Sequence, residues 1–314
     1  VRKLAIPALV VAAAVLLTGA WLLHRPAPDA EPAALAEAPP APEERLRGLE
    51  PEPPDAELLA SARELLGADG RRDDCGPYAL HTDVRDPRFA AACALLASRL
   101  DEVYAARYGV RPRGEPAEAI VLFSEIGDYR AFSKRHQVAL GYAGYALGAR
   151  GLAVFHAGDQ AVDGFLPTLT HELTHLLNRR ALGANLPRWL SEGLADGIGD
   201  CATADGFRPL EDRSGDGLQA IRLRAALASG QVAGIERLVT LKPSEFDREQ
   251  PSFDYEQGAL LVRFLLVEPE LASGFHAFLR ELARGGNYEP ERLRSALGVG
   301  WEVLDRRFGE WMRI

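Results

Sequence analysis

The sequence predicts an α+β fold: a half that mixes short strands with helices, then a half that is almost wholly helical. Three observations predict it. Apolar stretches of strand character, at 76–84, 118–124 and 148–158, all fall before residue 160. Stripes with apolar residues three and four apart lie between them, and after residue 218 nothing else remains. Strands with helices first and helices alone afterwards is the order of an α+β chain. With 314 residues, 47% hydrophobic and 26% charged, the chain has ordinary globular composition and enough length for a large core. The formal net charge of -9 excludes a general nucleic-acid binder, because little here would neutralise phosphates.

Residues 4–23, "LAIPALVVAAAVLLTGAWLL", carry no charge and are long enough to span a bilayer as a helix. Arg2 and Lys3 precede them, so the positive-inside tendency sends the rest of the chain across the membrane. Segment 1–24 is therefore either an uncleaved transmembrane anchor or a cleaved signal segment, and both readings stay open. The expected address is a bacterial inner membrane with the folded part periplasmic, or secretion if the segment is removed. The stretch from His24 to Glu57 holds nine of the chain's 21 prolines, with Ala and Glu between them. Proline at that density blocks helix and sheet, so 25–56 reads as a semi-rigid spacer. The folded domain is then 57–314, with an α+β half at 57–200 and a helical half at 201–314.

Within the domain, 55–68 reads as a helix, 76–84 as a strand, and 87–109 as a long helix stopped by Gly109. Residues 118–124, "EAIVLFS", make a short apolar strand, and 127–137 a short helix. A glycine-rich turn leads into a strand over 148–158, "GARGLAVFHAG". Helices are expected at 218–230, 255–267, 271–286 and 300–314. The Asp- and Gly-rich 205–217 lacks the spacing of a calcium loop and reads as a solvated surface loop. Of the three cysteines, Cys75 and Cys201 sit in polar, loop-like surroundings and are the preferred disulfide pair; Cys93, on a helical apolar pattern, reads as a buried thiol. No C-x-x-C spacing exists, so a cysteine zinc site is not expected.

The chemistry concentrates in "TLTHELTHLLN", residues 168–178, on a helix expected from about Leu166 to Leu182 with Pro167 in its first turn and Gly183 as its stop. Residues four apart lie one turn above each other, so His171 and His175 project side by side and can reach one ion. Glu172 borders that face, while Leu169, Leu173, Leu176 and Leu177 form an apolar side for packing. The rival reading, a core helix with two satisfied histidines, weakens when the next segment is read. A catalytic zinc takes three protein ligands and leaves one position open. In "LPRWLSEGLADGIGD" (186–200), Glu192 follows His175 with sixteen residues between, enough for a turn and a second helix, and supplies a third ligand. Asp196 shares its face and can accept a hydrogen bond from the far nitrogen of a ligand histidine, His171 first. Solvated helix carboxylates are the bland alternative for both.

HELTH followed by WLSEGLAD resembles the gluzincin metallopeptidases, in which two histidines and a later glutamate hold zinc. W-x-x-E-G-x-A is similar in wording to the M1 aminopeptidase type, and the span 76–314 is closer to bacterial "peptidase MA-like" domains. The resemblance implies a thermolysin-like zincin core, a small sheet plus the HExxH helix, followed by a helical subdomain. It implies one Zn²⁺ on His171, His175 and Glu192, with Glu172 as general base and a peptide as substrate. It also implies that the strand before the motif helix, carrying His156, is the edge strand that pairs with extended peptide. His156 itself is an alternative polar contributor or an ordinary strand residue. Tyr255, in "YEQGA", matches the tyrosine that donates to the oxyanion in M1-type members; an ordinary packing tyrosine is the even rival. The interval from second histidine to glutamate is shorter than in the best-known members, and no counterpart of the M1 amino-terminus signature is present, so aminopeptidase activity does not carry over.

The sequence-level expectation is thus a membrane-anchored zinc metallopeptidase. Two alternatives stand beside it: a peptidase fold that grips a partner without cutting it, and a zinc hydrolase of non-peptide substrates. An intact HELTH argues against the former, since a non-cutting site has no use for Glu172.

Overall fold

A computed structural model of the chain describes residues 53–138, 143–209, 218–246 and 253–313. The anchor expected at 1–24 and nearly all of the spacer lie outside the described residues. Among those described, no helix is long and apolar enough to cross a membrane.

Helix α1 (Ala56–Leu66) opens the domain where the proline-rich stretch ends. Asp55 caps it by accepting from the amides of Glu57 and Leu58, both at 3.0 Å. The same carboxylate pairs with Arg150 at 2.8 Å, which ties the domain's first turn to its sheet. There follow β1 (Arg71–Cys75), β2 (Tyr78–Thr82), α2 (Pro87–Tyr108), β3 (Ala119–Phe123), α3 (Ile126–Arg135), β4 (Gly144–Leu147) and β5 (Leu152–His156). The strands form one mixed sheet in the order β1-β2-β3-β5-β4, with β2, β3 and β5 parallel and the outer two antiparallel to their neighbours.

The continuous apolar run of β3 has a simple cause. Both faces of the central strands are covered, so alternate residues enter two different cores. Ala119, Val121 and Phe123, with Leu152 and Val154 of β5, pack under α1 and α3. Ile120, Leu122, Ala153 and Phe155 face the main core with α2 and the helices that follow.

Two strands of this sheet are additions to the sequence reading. β1, "RRDDC", is polar because it is an edge strand whose only buried side chain is Cys75. β4, "GYAL", lies where a glycine-rich turn was expected, and it displaces β5 from the edge. The strand carrying His156 is therefore interior, hydrogen-bonded on both sides, and the edge beside the motif helix is β4.

The motif helix α4 (Val162–Leu182) starts a turn earlier than expected, so Pro167 lies inside it rather than at its first turn. The apolar Phe165 and Leu166, both fully buried, hold the added turn in the core and offset the missing proline N–H. Leu169, Leu173, Leu176 and Leu177 are buried as their spacing requires. Next come α5 (Arg188–Gly199), a small hairpin of β6 (Ala202–Thr203) and β7 (Gly206–Phe207), and the helical half: α6 (Leu218–Ala228), α7 (Ile235–Thr240), α8 (Asp254–Val267), α9 (Pro269–Ala283), α10 (Pro290–Leu297) and α11 (Trp301–Met312). The short α7 and α10 were not legible, each being too brief for a clear period.

Helices α5 and α8 cross at glycines. A Cβ on Gly193 would lie 2.5 Å from Val262 Cγ2 and 2.6 Å from the Gly258 carbonyl oxygen; one on Gly258 would lie 2.9 Å from the Trp189 carbonyl. Only glycine permits that approach, which is why a glycine follows Glu192 and another follows Tyr255 by three. Helix α2 braces the other side: Tyr104 donates to Asn178 at 2.9 Å, and Tyr108 to the Leu194 carbonyl.

All three cysteines are free and buried. The preferred Cys75–Cys201 pairing is corrected: Cys75, ending β1, faces Cys93 of α2, and their hydrogen bond together with burial pushes the Cys75 thiol up. Cys201 sits elsewhere, near Tyr108 and within 4.0 Å of the Pro209 carbonyl. The tight turn at Gly76 explains the pairing, since it presses against α2 so closely that a Cβ would lie 2.7 Å from the Ser98 nitrogen.

Candidate metal centre

The helical spacing brings the two histidines together as expected. His171 Nε2 and His175 Nε2 are 3.2 Å apart. Glu192 reaches across from α5, with its Oε2 3.4 Å from His171 Nε2 and 3.5 Å from His175 Nε2. Three donor atoms, two nitrogens and one oxygen, thus form a nearly equilateral triangle. Bonds of about 2.0–2.1 Å in a tetrahedral zinc site put neighbouring donors about 3.3–3.4 Å apart, so this triangle fits such an ion in donor type and in size. Glu172 also belongs to the cluster: donor atoms of His171, Glu172 and His175 lie within 4.8 Å of one another. Two trios therefore share the histidine pair, and the one with Glu192 is the tighter. The side chains of His171, His175 and Glu192 keep 21%, 19% and 15% of their surface exposed, so the site opens to solvent rather than being sealed in the core.

The outer nitrogens of both imidazoles are held. His171 Nδ1 lies 2.7 Å from Asp196 Oδ1, the partner expected from the spacing. His175 Nδ1 lies 3.1 Å from Ser191 Oγ. Sequence reasoning missed Ser191, and only its place beside Glu192 signalled it. Each contact lets Nδ1 carry the proton and turns the Nε2 lone pair toward the triangle. Asn178 fixes Ser191 in turn by donating to its carbonyl at 3.1 Å. On α5, a Cβ on Gly199 would lie 3.0 Å from the Pro167 carbonyl and 3.3 Å from His171 Cβ, so α4 and α5 meet closely at the site.

The charges respond to this arrangement. Burial alone would raise the Glu192 carboxyl, but the two imidazoles facing it hold it well below the usual carboxylate range. For His171 burial acts downward, and Asp196 with the other two carboxylates more than reverses it, so its affinity for a proton is well above an ordinary histidine's. Glu172 moves the other way: burial raises it, with the histidines opposing. The backbone N–H of Ala146 also acts to lower it, which places the base-like residue beside strand β4.

Tyr255 stands on the opposite side, at the start of α8. Its hydroxyl accepts from Arg188, whose Nε lies 3.1 Å away, and Arg188 Nε is 3.8 Å from Glu192 Oε1. Arg188 also lies over the Tyr255 ring at 5.6 Å, and Phe246 packs edge-on against it at 4.8 Å. Tyr255 is therefore connected to the triangle through one arginine. His156 is not drawn to it: its ring packs 5.0 Å from Tyr129, and its Nδ1 is buried without a hydrogen-bond partner.

No protein-family model and no curated protein matches the chain. Among solved structures, it is similar to the M1 zinc metallopeptidase from Deinococcus radiodurans, at 16% identity and a TM-score of 0.36. The match covers 78% of this chain and 51% of that one, so the chain spans about half the length of the peptidase it matches.

Proposed function

We propose that the chain is a zinc-dependent metallopeptidase in which His171, His175 and Glu192 hold the ion and Glu172 is the general base. The observation that carries this is the donor triangle of 3.2, 3.4 and 3.5 Å, with a second carboxylate in the same cluster left over for proton transfer. Bound there, zinc would supply a Lewis acid that polarises a peptide carbonyl and acidifies water.

The protein's own groups divide the remaining work. Glu172 takes the proton from the attacking water at its carboxylate and returns it to the leaving amine nitrogen. Its raised proton affinity suits a group that must be reprotonated and discharged in each turnover. The Ala146 amide, beside that carboxylate, favours its charged form. Asp196 and Ser191 keep both imidazoles in the tautomer that leaves Nε2 free. Tyr255 accepts from Arg188 and so retains its own O–H to donate to negative charge developing on the substrate oxygen. The free edge of β4, beside Glu172, suits an extended peptide chain. We further propose that the apolar 4–23 segment directs or holds this domain at a membrane, with the domain on the extracytoplasmic side.

Elemental analysis of the purified domain after zinc reconstitution tests the ligand set; a stoichiometric ion lost on His171→Ala is the expected result. A fluorogenic peptide library, assayed with and without chelator, tests the reaction. No stoichiometric metal overturns the proposal, and bound zinc without cleavage transfers it to the non-cutting binding module.

A further inference from the structure

Cys75 and Cys93 are fully buried and lie in hydrogen-bond contact, and nothing in the proposed chemistry uses them. Cys75 ends the edge strand β1 and is that strand's only buried side chain. β1 has a partner strand on one side only, so little holds it apart from its pairing with β2. Cys93 lies on α2, one turn before Ala97 and on the same face. That face meets the turn after β1 at backbone distance: a Cβ on Gly76 would lie 3.2 Å from the Ala97 carbonyl carbon and 2.7 Å from the Ser98 nitrogen. Two thiols in contact, on backbones that touch, have the placement a disulfide requires. Cys201 is excluded as a partner by position. It sits near Tyr108, and the run of α2 from Cys93 to Tyr108 is about 22 Å long.

We propose that Cys75 and Cys93 are a modification site, converted by a small-molecule disulfide, here oxidised glutathione, into a disulfide that straps the β1–β2 hairpin to α2. The step balances as thiol–disulfide exchange. One cysteine gives its proton to water, and its thiolate attacks a glutathione sulfur. The oxidant's S–S bond breaks and one glutathione thiolate leaves. The second cysteine, deprotonated in turn, attacks the mixed disulfide at the protein sulfur, and the second glutathione leaves. Both cysteine sulfurs are oxidised, and one glutathione disulfide is reduced to two thiols. Burial sets when this happens. In the folded chain, contact with Cys93 and burial push the Cys75 thiol up, which leaves little thiolate to react. Exchange therefore proceeds during folding, or when the weakly held edge strand opens. The extracytoplasmic side, proposed above for this domain, is where such oxidants prevail. Packing alone asks for two small apolar side chains here and gives no response to an oxidant. The strap does not depend on the peptidase reading.

The test uses the purified full chain, reduced and then freed of reductant. One sample is incubated folded with oxidised glutathione, and a second is refolded from urea in the same buffer. Both are alkylated, digested and mapped by mass. The expected product is a peptide pair joined at Cys75 and Cys93, with both thiol hydrogens lost and Cys201 alkylated. Its appearance in the refolded sample alone supports the proposal and assigns the bond to folding. Cys75 and Cys93 alkylated in both samples, left on glutathione, or joined to Cys201 overturns it. The closed loop, residues 76–92, joins the hairpin to α2, so the oxidised chain should melt about 5–10 °C above the reduced one. Cys93→Ala should remove that difference, because both redox states of the variant lack the strap. Equal melting temperatures in the unaltered chain reject the strap even where the bond forms.

Discussion

The two walls of the site are built differently. On one, α4 and α5 meet at backbone distance through Gly199, α5 meets α8 through Gly193 and Gly258, and Tyr104 and Tyr108 of α2 bolt both helices from behind. All three proposed ligands stand on this wall. The other wall runs from β4 to Tyr255 and Arg188, at the very start of α5, and consists of half-exposed side chains joined by polar and ring contacts. The difference teaches a division of labour. The first wall fixes three donor atoms to within tenths of an ångström by packing that admits no extra methyl group. The second wall presents its groups toward the open side of the site, and only Arg188, 3.8 Å from Glu192, touches a ligand. Substitutions on the first wall should change metal affinity, and those on the second should change turnover with metal retained.

Glu172 gives the sharpest test, because it is on the ligand helix yet beside β4. Glu172→Gln should keep zinc at full stoichiometry and lower kcat by about 10²–10⁴-fold, the range of a general base. Lost zinc would make Glu172 a ligand and break the comparison; retained activity would remove it from the mechanism. On the second wall, Tyr255→Phe should lower kcat by about 10²-fold with zinc content and KM little changed, if its hydroxyl donates to the oxyanion. An unchanged kcat returns Tyr255 to packing between Arg188 and Phe246.

What could be read from sequence follows the same boundary. HELTH and Asp196 were legible because helical periodicity is local: four residues apart means the same face, whatever surrounds it. Glu192 was legible because donor type and a turn-length interval sufficed. Ser191 was not, since its hydroxyl meets His175 only after glycine contacts set α5 at a particular angle on α4. The Cys75–Cys93 contact was hidden for a similar reason, depending on how the turn at Gly76 packs on α2. β4 escaped because four residues, Gly144 buried and the next three only partly so, give no alternation to detect, and with it went the identity of the sheet edge. The two central strands and the long helices were read correctly because each buries enough surface to impose a period.

Within the first wall, the two histidines permit a finer comparison. His171 leans on a carboxylate at 2.7 Å and His175 on a hydroxyl at 3.1 Å. An ionised partner makes the stronger hydrogen bond and the more basic ligand. Asp196→Asn should therefore weaken zinc affinity by about 10–100-fold, and Ser191→Ala by less, both measured by competition with a chelator. Equal losses would mean that the partners only orient the rings and do not tune them.

The smallest effect is expected in the zinc-free protein, as a function of pH. Glu192 is depressed below its ordinary value, so its contribution to stability is present above about pH 4.3 and is lost as pH falls through the lower folded value. His171 is raised, so its contribution is complete below about pH 6.5 and is lost as pH rises through the higher folded value. Glu172, raised by burial, has its own loss, which begins as pH rises above its ordinary value of about 4.3, because charging the buried carboxyl costs stability. Zinc-free protein should accordingly be most stable between those limits, with a melting temperature that declines on the alkaline side. Zinc should cancel that alkaline decline, because the ion replaces the proton on the tripod and its affinity grows as the ligands lose theirs. Melting curves of the metal-free and zinc-loaded protein across this range measure the difference. Parallel curves would show that proton and metal do not compete for one set of atoms, and the tight wall would then be holding something other than a cation site.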